Sequence, residues 1–224
     1  MNISPLELNA CICADSIPII KALPNGCVDA VITDWPYGVE IAEWDTRVLY
    51  ELIEHFLRIS RGVVCVIGAA TKLYDDMRNF PEQPRTLIWA PSFTLSHTMA
   101  NGIAYRFHTV NCWRIPKKHD GPKWDVLDHP TEGKNPWKHS CTKPVALMAD
   151  LAGLCPEGGV ICDPFGGSGS TAVGAIHRRR KAALIESDAG HAATANARIQ
   201  AALAGANFKM VAAGQAFFQG FIPT

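Results

Sequence analysis

Val160-Ile-Cys-Asp163-Pro164-Phe165-Gly166-Gly167-Ser168-Gly169-Ser170-Thr171 is the stretch on which the fold turns. A short apolar run enters a glycine-rich turn, and an Ala/Val-rich segment follows. The run suits a strand covered on both faces. Glycines allow a tight turn and close approach of backbone to a ligand, and the segment beyond them opens a helix whose first amides face the turn. Twenty-three residues after Asp163 the next apolar run, Ala183-Leu-Ile-Glu186, ends on an acid. Nucleoside-binding sheets hold ribose hydroxyls at such a position. A glycine turn alone is a weak signal. Strand, glycine turn, helix, strand and acid in succession favour a nucleoside cofactor site over a plain βαβ turn.

The same rhythm extends outward. Residues 6–13, 27–33, 62–67, 85–90, 106–115, 159–162 and 181–185 read as strands, several of them continuously apolar. Leu49, Leu52, Ile53, Phe56 and Leu57 share one helix face. Thr142 reads as an N-cap with Pro144 just inside the next helix, striped by Leu147, Met148, Leu151 and Leu154. Residues 189–204 read as an Ala-rich helix ending near Gly205. Alternating strands and helices predict a doubly wound, mostly parallel α/β sheet. Residues 91–105 read as a long polar loop, and 116–141, rich in Lys, His, Gly, Pro and Trp, have no clear period. The tail at 205–224, with Phe217, Phe218 and Phe221, has no firm assignment.

With 224 residues, 48% hydrophobic and 19% charged, the chain can build one full-sized core, which excludes wholesale disorder. Lys plus Arg equals Asp plus Glu at 21 each, so there is no global basic field and any polyanion site is a local patch. The eight cysteines form no Cys-x-x-Cys and mostly lie in apolar runs, as reduced thiols of an intracellular protein do. Glu7, Asp15 and Lys21 interrupt any signal core. Residues 86–105 lack charge but carry too many polar groups for a membrane span. The expectation is a cytoplasmic protein with no membrane partner. The eight histidines show no ligand spacing, so no metal is expected; His97 reads as a loop residue and His108 as a strand residue.

A second constellation is Val31-Ile-Thr-Asp34-Trp35-Pro36-Tyr37-Gly38, an apolar strand running into a carboxylate, a proline and an aromatic. In an open α/β sheet ligands bind at the carboxyl ends of strands, where this tetrapeptide falls. The exocyclic amine of a nucleobase is a poor nucleophile because its lone pair is delocalised into the ring. Asp34 could accept one N–H and the Trp35 carbonyl the other, which localises the lone pair, and Tyr37 offers a face for a base taken out of the duplex. A strand-ending Asp-x-Pro turn reads equally well from these residues alone.

Taken together, these motifs resemble the β class of S-adenosylmethionine-dependent DNA amino-methyltransferases. Asp34-Trp-Pro-Tyr37 is similar to that superfamily's Asp-Pro-Pro-Tyr catalytic motif, and Phe165-Gly-Gly-Ser-Gly169 to its Phe-x-Gly-x-Gly cofactor motif. His139-Ser-Cys-Thr-Lys143-Pro144 resembles its His-Pro-Thr-x-Lys-Pro motif, and Cys13-Ala-Asp15 its Gly-Asp turn. The order, catalytic motif first and cofactor motif last, is diagnostic, and the resemblance covers residues 6 to 204.

It implies a Rossmann-like, seven-stranded methyltransferase sheet with circularly ordered motifs, one antiparallel strand at an edge and a small inserted target-recognition region. It implies a single domain over 1–224: a catalytic half at 1–90, loops and target segment at 91–143, a cofactor-binding half at 144–204 and the tail at 205–224. By resemblance Asp34, Trp35, Pro36 and Tyr37 are catalytic. Asp163, Pro164, Phe165, Gly167, Ser168, Gly169, Ser170 and Thr171 cradle S-adenosylmethionine, Glu186 binds its ribose and Asp15 lies near its adenine. His139, Thr142 and Lys143 lie near its carboxylate, where a Lys and a helix N-terminus both attract an anion. Trp35 in place of proline keeps the carbonyl but changes the pocket wall. Ser140 and Cys141 replace Pro-Thr.

Asp rather than Ser at position 34 points by resemblance to the N6 amine of adenine, with the N4 amine of cytosine as the alternative. None of the fifteen prolines precedes a cysteine, so no Pro-Cys nucleophile is present and transfer is direct.

The family's target-reading segment here shrinks to about 116–138. That predicts recognition of about two to four base pairs. Lys117, Lys118, Lys123, Lys134 and Lys138 would contact phosphates, and Trp124 and Trp137 would stack near the opened base; a solvated loop whose tryptophans pack on the body is the competing expectation. His177-Arg-Arg-Arg-Lys181 reads as a solvated helix end rather than a DNA contact. The partner is duplex DNA with a flipped base, and the tail could serve a homodimer or fold back on the sheet. RNA or a protein glutamine as substrate fits the motif order less well. A degenerate binding module fits poorly with an intact Asp34, Pro36, Tyr37 and glycine loop.

Overall fold

The computed structural model describes residues 3–38, 49–91, 99–100, 103–131 and 142–205. The strands are β1 (Ala10–Cys13), β2 (Ala30–Asp34), β3 (Val64–Ala69), β4 (Arg85–Trp89), β5 (Met99–Ala100), β6 (Ile103–Ala104), β7 (His108–Trp113), β8 (Val126–Leu127), β9 (Val160–Asp163) and β10 (Lys181–Glu186). The helices are α1 (Ser16–Ala22), α2 (Leu52–Ile59), α3 (Leu73–Asn79), α4 (Val145–Ala152), α5 (Ser170–His177) and α6 (Ala189–Leu203).

Each of the seven expected strands is present. They join the two-residue β8 in an eight-stranded sheet of order β1-β10-β9-β2-β3-β7-β4-β8. The sheet is mostly parallel, and β7 runs antiparallel to both of its neighbours, β3 and β4. The antiparallel strand therefore lies inside the sheet, not at its edge as the resemblance implied. β8 lies parallel to β4 at that border, so the sheet gains an eighth strand. The short hairpin β5–β6 falls in the stretch expected to be loop.

The continuously apolar strands are explained by cover on both faces. On one face Ile32, Cys65, Ile67, Ile161 and Leu184 pack under Leu147, Met148 and Leu151 of α4, Ala172 and Ala175 of α5, and Ala192, Ala195 and Ile199 of α6. On the other, Val31, Val64, Val66, Cys162 and Ile185 meet Ile20 of α1 and Leu52, Ile53 and Phe56 of α2. The helix expected from Leu49 onward is thus real, and it starts at Leu52. α5 approaches α4 closely because Gly174 has no side chain; a Cβ there would stand 2.6 Å from the Ala149 nitrogen.

The helix expected after Thr142 also forms, but Pro144, in an extended conformation, is its N-cap. The Thr142 hydroxyl lies 3.2 Å from that of Ser168 instead. α6 ends where expected, with Gly205 at φ +84 just beyond its last turn. Of the cysteines, Cys11, Cys27, Cys65, Cys112, Cys155 and Cys162 are buried free thiols and Cys13 is exposed. No helix among the described residues is long and apolar enough to cross a membrane.

The chain order creates a switch point. From β2 the chain continues to β3 on one side, while from β9 it continues to β10 on the other, and β2 and β9 are neighbours. A crevice at the carboxyl ends of two such strands is where open α/β sheets bind ligands. Asp34 ends β2 and Asp163 ends β9.

Candidate active site

A cavity of about 300 Å³ opens at this switch point. One end is lined by Asp15, Ile17, Glu186, Asp188 and His191, the other by Asp34, Pro36, Thr142 and Lys143, with Phe165, Gly167 and Ser168 between them.

Asp163 organises its floor. It is 2% exposed, and its carboxylate accepts hydrogen bonds from the Thr33 hydroxyl at 2.6 Å, the Thr171 hydroxyl at 2.5 Å and the Phe165 amide at 3.0 Å. One side chain thus ties the residue before Asp34, the glycine turn and the start of α5 together. Burial raises its pKa to about 6, against the opposing pull of these donors. Because the folded pKa lies above the unfolded one, the contribution to stability is full below about pH 4 and is lost as pH rises through about 6. The unfolding free energy of the wild type, relative to Asp163→Asn, is expected to fall by about 3 kcal/mol in all from a pH well below 4 to one well above 6, as chemical denaturation at a series of pH values would read. A flat difference would remove the buried titration.

The glycine turn is held from the sheet side. The Gly167 amide donates to Glu186 Oε2 at 2.8 Å, and the Asp188 amide to Glu186 Oε1 at 2.9 Å. Gly169, at φ +85, is the N-cap of α5 and lies against Ala195. Arg198, 1% exposed, donates to the Ser168 carbonyl at 2.8 Å and to its hydroxyl at 2.9 Å, fixing the turn from beneath. Asp15 caps α1 by accepting from the Ile17 amide at 2.9 Å, which fixes its carboxylate at the cavity's other end.

At the Asp34 end both carboxylate oxygens are engaged. The Tyr37 hydroxyl donates to Oδ1 and the Lys143 ammonium to Oδ2. The ammonium also lies over the Tyr37 ring, 5.4 Å from its centroid. His108 packs beside Tyr37 at 5.9 Å and stacks on Trp89 at 4.8 Å. Burial, helped by the Lys143 charge, lowers the His108 pKa to about 4, so the imidazole is neutral near pH 7.

Among the residues singled out in the sequence, the cavity gathers Asp15, Asp34, Pro36, Thr142, Lys143, Asp163, Pro164, Phe165, Gly167, Ser168, Ser170, Thr171 and Glu186. The Trp35 side chain points away from it. It is 2% exposed and packs with Tyr50 and Phe80 at ring separations of 5.8 and 6.3 Å, so the tryptophan that replaces proline fills core and does not form pocket wall. Asp188 and His191 line the cavity and were missed; the signal was the position of Asp188, two residues past Glu186 at the N-cap of α6.

The expected DNA-contacting residues divide. Lys118 lines a separate cavity with Asp29, Arg61, Gly62 and Arg180, at the opposite ends of the parallel strands. Lys117 adjoins it in sequence, the Lys123 ammonium is bound to the His119 carbonyl at 2.8 Å, and Trp124 stands 78% exposed just before β8. The structure does not bring these four to Asp34: antiparallel β7 delivers Lys117 and Lys118 to the far end of the sheet, and Lys123 and Trp124 lead into β8 at its border, four strands from β2. Lys134, Trp137, Lys138 and His139 lie outside the described residues, as do His97, Phe217, Phe218 and Phe221. The basic cluster after α5 is only partly solvated. Arg179 is exposed, whereas Arg180 is 6% exposed and bonds Asp120 Oδ1 at 2.5 Å and the Cys155 carbonyl at 2.7 Å, and Arg178 bonds Asp150 at 2.7 Å.

The family model for N6/N4 DNA methylases matches residues 74–197, more than half of the chain. The chain belongs to that family. The methylase also shares its fold with solved structures. The M1.HpyAVI complex with S-adenosylmethionine is 20% identical, with a TM-score of 0.65 over 84% of this chain and 98% of that one. The cytosine-N4-specific PvuII DNA methyltransferase is 16% identical, with a TM-score of 0.65 over 84% and 85%. A putative DNA modification methylase from Thermus thermophilus, complexed with S-adenosyl-L-methionine, is 17% identical, with a TM-score of 0.61 over 88% and 95%. No curated protein matches the methylase sequence significantly. The Asp34-Trp-Pro-Tyr37 tetrapeptide lies before the matched span and the glycine turn inside it.

Proposed function

We propose that this methylase transfers a methyl group from S-adenosylmethionine to the exocyclic N6 amine of adenine in duplex DNA, with the target base flipped out of the helix. The observation that carries the reading is Asp34 at the end of β2, on the rim of a cavity whose other end presents Glu186 and whose wall is the 165–169 turn. The cavity suits the cofactor. Glu186 keeps lone pairs beyond the two amides it accepts, which ribose hydroxyls can use. Ile17, Leu49, Met148 and Phe165 supply apolar walls that exclude water.

The bound cofactor supplies an electrophilic methyl on a sulfonium. Asp15, Asp34, Asp163, Glu186 and Asp188 line the cavity, and their carboxylates favour a ligand with that positive charge. Asp34 and the Trp35 carbonyl accept the two amine hydrogens, which localises the nitrogen lone pair, and Tyr37 presents its ring to the extruded base. Asp34 takes up the proton that the methylated amine releases. Phosphate and base contacts are assigned to Lys134, Trp137 and Lys138, which precede the cavity residue Thr142 by a few positions in sequence.

Purified protein incubated with isotope-labelled S-adenosylmethionine and unmethylated duplex DNA, then digested to nucleosides for mass spectrometry, tests the reading. Label on adenine N6, mapped to sites of about two to four base pairs, is the expected result. Label on cytosine N4 corrects the base. An unlabelled DNA sample from protein that binds the cofactor overturns the DNA substrate.

A further inference from the structure

The resting geometry of Asp34 is not the one the reaction needs. Tyr37 and Lys143 hold its two oxygens. Tyr37 is 8% exposed, with the Lys143 ammonium over its ring and His108 beside it, so a base has no open face to stack on. Something must draw this lock apart before a target amine can reach Asp34.

The cavity lining indicates what does so. Among its described lining residues Lys143 is the only Lys or Arg, facing the carboxylates of Asp15, Asp34, Asp163, Glu186 and Asp188. An anionic group on a bound ligand therefore has one strong cation to turn to. Lys143 is 8% exposed, so its ion pairs are weakly screened. Its four-carbon stem lets the ammonium swing between partners without moving the backbone.

We infer that Lys143 is a positioning residue shared between Asp34 and the carboxylate of the cofactor's amino-acid part: cofactor binding withdraws it from Asp34 and frees Asp34 and Tyr37 for the base. The inference rests on the S-adenosylmethionine reading above. Its consequence is ordered assembly, cofactor before base. It also means that Asp34 competes with the cofactor's carboxylate for Lys143, which offsets part of the attraction that its own charge exerts on the sulfonium.

Calorimetric titration with two nucleosides tests this. S-adenosylhomocysteine keeps the carboxylate but lacks the sulfonium charge, and 5′-methylthioadenosine lacks both. Asp34→Asn is expected to bind S-adenosylhomocysteine at least threefold more tightly than wild type and 5′-methylthioadenosine equally. In a Lys143→Met background the Asp34→Asn gain is expected to vanish. Unchanged or weaker S-adenosylhomocysteine binding by Asp34→Asn overturns the sharing of Lys143. The wild-type protein supplies a readout that needs no variant. Tyrosine nitration followed by peptide mass spectrometry is expected to modify Tyr37 faster with S-adenosylhomocysteine present and no faster with 5′-methylthioadenosine; equal rates overturn the unlocking. A wild type that binds neither nucleoside defeats the cofactor reading itself, an outcome distinct from binding without these differences.

Discussion

Asp34→Ala is expected to lose methyl transfer by about a thousandfold or more while still binding S-adenosylmethionine. The magnitude is that of removing a group that both accepts a hydrogen bond in the transition state and takes a proton. The carboxylate lies at the end of a strand buried on both faces, and Thr33, the residue before it, is tied to Asp163 at 2.6 Å. Its position is therefore set by the sheet, and a truncated side chain cannot be replaced by a shift of the loop. Single-turnover rates separate this loss from any change in binding. Thermal melting checks the fold, because Lys143 loses an ion-pair partner in the variant. Asp34→Asn is the isosteric companion: it keeps one acceptor oxygen but not the proton acceptor, and is expected to retain only a small fraction of the rate. A rate within tenfold of wild type for Asp34→Ala would remove Asp34 from the chemistry.

The second large effect is expected from a single methyl group. In Gly169→Ala the new Cβ would stand 2.9 Å from Ala195 Cα, a contact with helix backbone that cannot rotate away. The residue also sits at φ +85, where an L side chain costs about 1 kcal/mol. Overpacking adds about 1–3 kcal/mol, so the variant should be about 2–4 kcal/mol less stable and melt several degrees lower. The turn and α6 must separate to admit the methyl group. That displaces Gly167 and Ser168 in the cavity wall, and cofactor affinity is expected to fall by about tenfold or more. Gly158→Ala is the control: its φ is +75, yet nothing lies within 4 Å of the added Cβ. It should show the backbone cost alone, with cofactor binding intact. Equal behaviour of the two variants in denaturation and calorimetry would refute the close approach to Ala195 as the cause.

Much of the site was legible in the sequence because it is built from local segments. Asp34 and Asp163 each end an apolar run, and such runs form strands wherever helices cover both faces of a sheet. The 165–169 turn and Glu186 belong to one strand–turn–helix–strand unit whose order in the chain is its order in space. A dozen consecutive letters accordingly singled out Asp163, Pro164, Phe165, Gly167, Ser168, Ser170 and Thr171, which the fold brings to the cavity wall, and the family match supports the chemical class.

What the sequence left open depends on which distant segments meet. Nothing local to residues 108–113 says that this strand inserts antiparallel between β3 and β4, a pairing set by contacts across tens of residues of chain. That single choice sends Lys117 and Lys118 to the far end of the sheet and leaves Lys123 and Trp124 beside β8 at its border, four strands from Asp34. Trp35 has the same neighbours in sequence whether it faces a pocket or the core; its burial against Tyr50 and Phe80 is decided by how α2 and the segment after α3 pack. Lys143 and Asp34 are 109 positions apart, and their ion pair exists because β2 and the chain entering α4 converge at the switch point. The sequence by itself determined the strands, the glycine turn and the carboxylate that ends β2, since hydrophobic period and turn chemistry act over a few residues. The tertiary structure alone decided the strand order, the fate of the basic segment and the partner of Asp34, since these follow from packing and charge between segments that the chain brings together only when folded.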